Sequence, residues 1–189
     1  MQITVLSTTP ERVSFKIKGV NFAFVNALRR AALTEIPTLA IEEVRITKNS
    51  SPLYDQVLAH RLGLLPWIYD DELFEKGRTR NFVFVLKAKG PKKVSAKDVV
   101  PPNGITAKYP DALLFPLTEG EEVELEADAI FGTGKDHAKW QAAVVGYEQE
   151  KEDEFTFTIE SISGYAPKEI MDKAVKTLQE RIDGFEKSI

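Results

Sequence analysis

The residues in this chain whose types could do chemistry are few, and their spacing does not assemble them. Gly132-Thr133-Gly134-Lys135 invites comparison with a phosphate-cradling loop. Such a loop needs a glycine five positions before its Gly-Lys pair and Ser or Thr after the lysine, so that backbone N–H groups wrap phosphate and a hydroxyl meets magnesium. Ala129 and Asp136 stand at those places, and nucleotide binding is rejected. His60 and His137 lie far apart and offer no metal-ligand spacing. No Ser or Asp is spaced to make a relay with His60, which reads as a capping or packing residue. Asp70-Asp71-Glu72 is a charged turn rather than a magnesium motif. Cysteine is absent, which excludes disulfides, thiolate zinc sites, iron–sulfur clusters and cysteine nucleophiles together.

What remains is a set of placed charges and aromatics. Arg29-Arg30 sits on an otherwise apolar helical run from Asn21 to Ile36, closed by Pro37. Its stems can cover a hydrophobic edge, or a planar guanidinium can reach a carboxylate or carbonyl of a neighbouring subunit. A helix with paired arginines can also enter a nucleic-acid groove. The formal net charge of −4 argues against unaided DNA binding, because phosphate contacts supply most non-specific affinity. The glycine loop carrying His137, Lys139 and Trp140 reads as a contact surface, tryptophan being a frequent interface anchor.

The elements that must carry these residues follow from periodicity. Arg12 to Lys18 alternates strictly, Val13, Phe15 and Ile17 on one face, and pairs in a hairpin with Gln2 to Leu6. On the helix after it, Phe22, Val25, Leu28, Ala32 and Ile36 form a stripe that Phe24, Ala27, Ala31 and Leu33 widen. That stripe is too broad for a helix with one wet face, so it is buried within its own domain or covered by a partner, and the partner reading is favoured. Residues 152–189 repeat the pattern: a strand at Phe155 to Ile159, a turn, then a helix opened by Pro167. On this helix Ile170, Ala174, Leu178 and Ile182 recur every four residues, with Met171, Val175 and Phe185 beside them. The middle of the chain has short strands at 81–86, 112–115 and 123–129, a helix over Ser51 to Leu65, and a basic loop at 87–97 read as solvated. Glu122, Glu124, Glu126 and Asp128 share one strand face, also read as solvated. The 189 residues suffice for one domain or two small ones sharing a core. No apolar run is long enough to cross a bilayer, and Met1 to Leu6 lacks a basic leader, so a cytoplasmic protein is expected.

Three motifs resemble a known family. They are Asn26-Ala-Leu-Arg-Arg30 with Ile36-Pro37, Leu58-Ala-His-Arg-Leu-Gly-Leu-Leu-Pro66, and Gly134-Lys-Asp-His-Ala-Lys-Trp140, with the ending Gly164-Tyr-Ala-Pro-Lys-Glu-Ile170 in support. In order and spacing they resemble the archaeal RNA polymerase D subunits, related to the N-terminal region of the bacterial alpha subunit. The resemblance implies an α+β fold: a discontinuous dimerisation domain from 1–40 and 152–189, with an antiparallel sheet and two long helices, and an inserted mainly-β domain at 41–151. It implies a non-catalytic assembly-platform subunit of DNA-directed RNA polymerase. Such a subunit heterodimerises with the smaller subunit L, is joined by small subunits N and P, and docks the large catalytic subunits, meeting DNA only through the assembled complex. On this reading Phe22, Val25, Leu28, Ala32, Ile36, Met171, Ala174, Val175, Leu178 and Ile182 form the dimer interface. Asn26, Arg29, Arg30, His137, Lys139 and Trp140 fall at the large-subunit contact. Many members of the family carry a cysteine-rich, ferredoxin-like insert before the strand matching Phe155; this chain has only a short acidic connection there and no cysteine, so no cofactor is expected. The competing class is a free-standing transcription regulator that binds nucleic acid through the Arg29-Arg30 helix.

Overall fold

The structure is a computed structural model that describes residues 1–77 and 80–188. It is α+β. In chain order the elements are β1 (Gln2–Thr8), β2 (Arg12–Lys18), α1 (Phe22–Thr34), β3 (Thr38–Asn49), α2 (Asp55–Gly63), β4 (Trp67–Ile68), α3 (Asp71–Gly77), β5 (Phe82–Lys89), β6 (Lys92–Ser95), β7 (Val99–Val100), β8 (Thr106–Ala107), β9 (Leu113–Leu117), β10 (Glu122–Gly132), β11 (Ala143–Lys151), β12 (Glu154–Ser161) and α4 (Pro167–Glu186). They divide into two compact units, one formed by Met1–Thr38 with Thr133–Ile189 and the other by Leu39–Gly132.

The first unit is built on an antiparallel sheet in the order β1-β2-β12-β11. Alternation sets its register: Val13 opposes Ile159, Phe15 opposes Phe157 and Ile17 opposes Phe155, so one face is apolar throughout. Phe15 and Phe157 stack at 5.4 Å. On the other face Lys16 Nζ lies 2.5 Å from Glu150 and 3.0 Å from Glu154, and Lys18 lies 3.2 Å from Glu154. The β11–β12 hairpin turns through Glu152 and Asp153 alone, which leaves no room for an inserted module at that point. The second boundary of this unit therefore falls at 133 rather than 152, since β11 pairs along its length with β12 and cannot belong elsewhere.

Both helices of this unit start and stop where side-chain chemistry dictates. Asn21 caps α1 by accepting a hydrogen bond from the Phe24 N–H at 2.9 Å. The helix closes at Glu35, whose N–H reaches the Ala31 carbonyl, two residues before Pro37. Pro167 opens α4, and the Glu169 carboxylate accepts from the Ala166 N–H at 2.7 Å.

The second unit has a sheet ordered β3-β10-β5-β7 and two small two-stranded sheets, with Trp67, Phe84, Phe115, Leu58, Leu62 and Leu86 fully buried in its core. The acidic face of β10 is not merely solvated, as expected from the sequence. Flanking strands bring it cations: Arg45 grips Asp128 with two bonds (2.5 and 3.0 Å), Lys48 and Lys89 flank Glu122, and Lys87 pairs with Glu124. The basic stretch at 87–97 keeps its lysines exposed, as expected, but it is largely strand rather than loop. It contains the end of β5 and all of β6, with Lys92 held by Asp98 at 2.6 Å and Lys97 by Asp111 at 2.7 Å. The expected charged turn at 70–72 begins α3, where Asp70 accepts from the Leu73 N–H at 2.7 Å; the side chain of Asp71 lies outside the described residues.

Candidate partner-binding face

In the first unit α1 and α4 pack against each other and against the apolar side of the sheet. Residues expected to meet a partner divide sharply by burial. On α1, Val25 (0 % exposed), Leu28, Ala32 and Ile36 are enclosed by this chain's own atoms. This corrects the expectation that they face a partner directly: with a β-sheet beneath it and α4 beside it, α1 spends that part of its broad stripe on its own core. Phe22 and Phe24 remain exposed, Phe22 touching Tyr147 edge-on at 6.0 Å.

The four-residue repeat on α4 also resolves into two faces. Each step of four residues advances about 40° beyond a full turn, so Ile170 and Ile182 do not point the same way. Pro167, Ile170 and Ala174 are buried inward. Met171, Val175, Leu178, Ile182 and Phe185, alternating steps of four and three, form a second stripe on the outside. Met171 and Leu178 are half-buried, whereas Val175, Ile182 (55 %) and Phe185 (65 %) stand in solvent. From Gln179 onward every described α4 residue is exposed, although Arg181 still reaches back to Glu35 at the end of α1. No helix among the described residues is long and apolar enough to cross a membrane.

The charged residues cluster near the end of α1. Arg30 is exposed and Arg29 half-buried, and among the described residues no partner engages either guanidinium. Asn26 is half-buried beside them on the same helix. The loop with His137 is pinned to this helix end. Lys135 donates its N–H to the Thr34 carbonyl at 3.2 Å, and a Cβ at Gly134 would stand 2.9 Å from the Leu33 carbonyl oxygen, so only glycine permits the approach. Glu35, its side chain 8 % exposed, lies 3.1 Å from both Lys135 and Arg181 and thereby ties loop, α1 and α4 together. His137 is exposed, with Nδ1 accepting from the Lys139 N–H at 3.1 Å, and Lys139 Nζ sits 4.4 Å over the Trp140 ring. Trp140 itself is buried and accepts from Thr38 Oγ1 through its carbonyl at 2.9 Å. It anchors the loop to its own unit, correcting the reading of a free aromatic anchor. Asp136 accepts from the Thr133 N–H and hydroxyl, so the glycine loop turns on its own carboxylate.

Sequence reasoning did not single out Glu35, because nothing local marks an acid that meets cations 100 and 146 residues away. Nor did it assign the β1 face any role. Ile3 and Val5 remain exposed although they oppose the buried Ile17 and Phe15 across the hairpin.

An α+β unit whose helices hide one apolar stripe and present another is a domain shaped to meet a second polypeptide. The chain belongs to the RNA polymerase Rpb3/Rpb11 dimerisation domain family, whose model matches residues 14–182. Among its relatives is a DNA-directed RNA polymerase subunit Rpo3 of Methanocaldococcus jannaschii, 38% identical across 93% of this chain and 88% of the relative. The same-named subunits of Methanosphaera stadtmanae (42% identical, 78% of this chain) and Thermococcus kodakarensis (35%, 78%) are also similar. Of those two relatives the chain spans only 60% and 59% of the length.

Proposed function

We propose that this chain is a non-catalytic assembly-platform subunit of a DNA-directed RNA polymerase. The observation that carries the proposal is the outward stripe Met171, Val175, Leu178, Ile182 and Phe185 on a domain whose relatives are named polymerase subunits. The unit containing both chain ends is the dimerisation domain and the Leu39–Gly132 unit its mainly-β insertion. The partner is a smaller alpha-like subunit, L, laid across α4 and the exposed start of α1 at Phe22 and Phe24. An interface of this kind buries about 2,000 Å² or more. Apolar faces of this size are closed by association because the hydrophobic effect acts on area irrespective of which chain supplies the cover. The Arg30 guanidinium, unengaged among the described residues, provides charge for docking a large catalytic subunit, with Arg29, Asn26, His137 and Lys139 of the same unit as further contacts, and small subunits N and P complete the platform. The chain holds no cofactor of its own and works in the cytoplasm.

The test is purification of the tagged chain from its native cells, with bound polypeptides identified by mass. A polymerase-sized assembly that contains the chain and a small alpha-like subunit in equal amounts is expected. Recovery as a free monomer with salt-sensitive DNA binding would instead establish a regulator.

A further inference from the structure

The Leu39–Gly132 unit turns at Pro102-Asn103-Gly104-Ile105 on a single hydrogen bond, donated by the Ile105 N–H to the Pro102 carbonyl at 3.3 Å. Asn103 and Gly104 stand exposed at its tip. Gly104 takes a φ of 87°, the third-position value of a type II turn, where a side chain would be strained. Among the described residues no group engages the Asn103 amide. The other asparagines are held or hindered. Asn21 caps α1 through its side-chain oxygen, and Asn26 lies inside that helix, where ladder bonds occupy the neighbouring N–H groups. Asn81 is followed by the bulky Phe82. Asn49, followed by the small Ser50, is the nearest rival by sequence. Its amide donates to the Leu53 carbonyl at 2.9 Å and to Asp55 at 2.7 Å, and its oxygen accepts from the Ser51 N–H and hydroxyl.

We infer that Asn103-Gly104 is a self-modification site, where the chain converts an amide into a carboxylate without an enzyme. The Gly104 backbone nitrogen attacks the Asn103 side-chain carbonyl carbon, and with no Cβ on residue 104 nothing shields it. A new C–N bond forms as the bond to the amide nitrogen breaks; the Gly104 N–H proton leaves with the ammonia, and a succinimide remains. Water then opens the ring. Cleavage of the new C–N bond gives aspartate, and cleavage of the original peptide C–N bond gives isoaspartate. Both products put negative charge into the cleft that Asn103 and Gly104 line with Asp70, Glu72 and Arg80. Isoaspartate also adds a methylene to the backbone of the turn that delivers buried Ile105 to the core and β8 to its partner β4. The small β4–β8 sheet is loosened by that insertion, so the unit carries a mark of its own age.

Incubating the full folded chain in warm, mildly alkaline buffer, beside a sample held in denaturant, tests this by proteolysis and peptide mass spectrometry. The peptide containing residue 103 is expected to gain the mass of amide-to-acid exchange and to split into two chromatographic isomers. In the folded chain it should react at least roughly tenfold faster than any other asparagine. Asn49 should react at least roughly tenfold slower folded than unfolded, whereas Asn103 keeps most of its unfolded rate. Mildly acidic buffer should slow the reaction, since attack requires a deprotonated amide nitrogen. Suppression of Asn103 by the fold as strong as that of Asn49, or equal rates at all the asparagines, overturns the inference. Isoelectric focusing gives an independent reading. The first acidic band of the aged wild-type chain should be missing from Asn103→Gln, and its persistence in that variant overturns the assignment to this turn.

Discussion

Two substitutions of the same chemistry on the two helices separate self-burial from partner burial. Val25 is fully enclosed, and Val25→Asp removes a buried side chain that contributes about 1.5–3 kcal/mol. It also leaves a carboxylate without a partner, a further loss of several kcal/mol. Against a total stability of about 5–15 kcal/mol that is enough to unfold the unit. Ile182 is 55 % exposed, so Ile182→Asp forfeits only about 1 kcal/mol in the isolated chain. In the complex it loses the remaining transfer energy and forces a carboxylate against apolar surface. The combined cost is about 3 kcal/mol or more, roughly a hundredfold in affinity. Thermal unfolding of each purified variant and titration with the partner read the two effects. An acid in the last turns of a helix also opposes the dipole by up to about 1 kcal/mol, so Ile182→Lys serves as a control with the opposite bias and the same expected loss of pairing. Wild-type affinity in both position-182 variants, or melting of either as severe as Val25→Asp, would refute the assignment of inner and outer faces.

The other expectations concern charge. Arg30→Ala should leave the heterodimer intact and lower the yield of polymerase reconstituted with the large subunits; undiminished yield removes the docking role. Glu35→Gln should release the 133–137 loop, visible as faster amide exchange there with only a small shift in overall melting, while unchanged exchange would show that Gly134 packing alone holds the loop. The hydrogen bonds from Arg45 hold the Asp128 carboxyl below its ordinary value of 3.8. A depressed acid contributes stability that is present above the unfolded value and fades as pH falls through the lower native one. The melting-temperature advantage of wild type over Asp128→Asn should therefore hold at neutral pH and shrink below about pH 3.8, where a constant difference would point to packing rather than charge.

Much of the architecture was legible because its signals are local. The alternation of Val13, Phe15 and Ile17 is strand β2, and Pro167 opens a helix that runs to Glu186. Asn21 and Pro37 bracket α1 by capping and by steric exclusion, within about two residues of the expected ends. What the sequence could not give was the division of apolar residues between core and surface. Val25 and Val175 look alike along the chain; only the sheet beneath α1 and the absence of anything over α4 distinguish them. The four-residue repeat misled for a geometric reason, since it drifts around the helix and joined Ile170 to Ile182 across two faces. Trp140 misled because a glycine-rich loop can fold back and bury its largest residue. Lysines at 87–97 are exposed, as their sequence suggested, but their ion pairs were not legible because the acidic partners at 98, 111, 122 and 124 lie on other strands or turns.

When the chain is at work, the outer stripe of α4 must be covered by another polypeptide. A lone thiol introduced by Ile182→Cys, in a chain that otherwise has none, reports that directly through its rate of reaction with a water-soluble maleimide. The rate should be that of an exposed cysteine in the isolated chain and fall at least a hundredfold in the assembled polymerase. Equal rates in the two states would mean that no other polypeptide lies on this face.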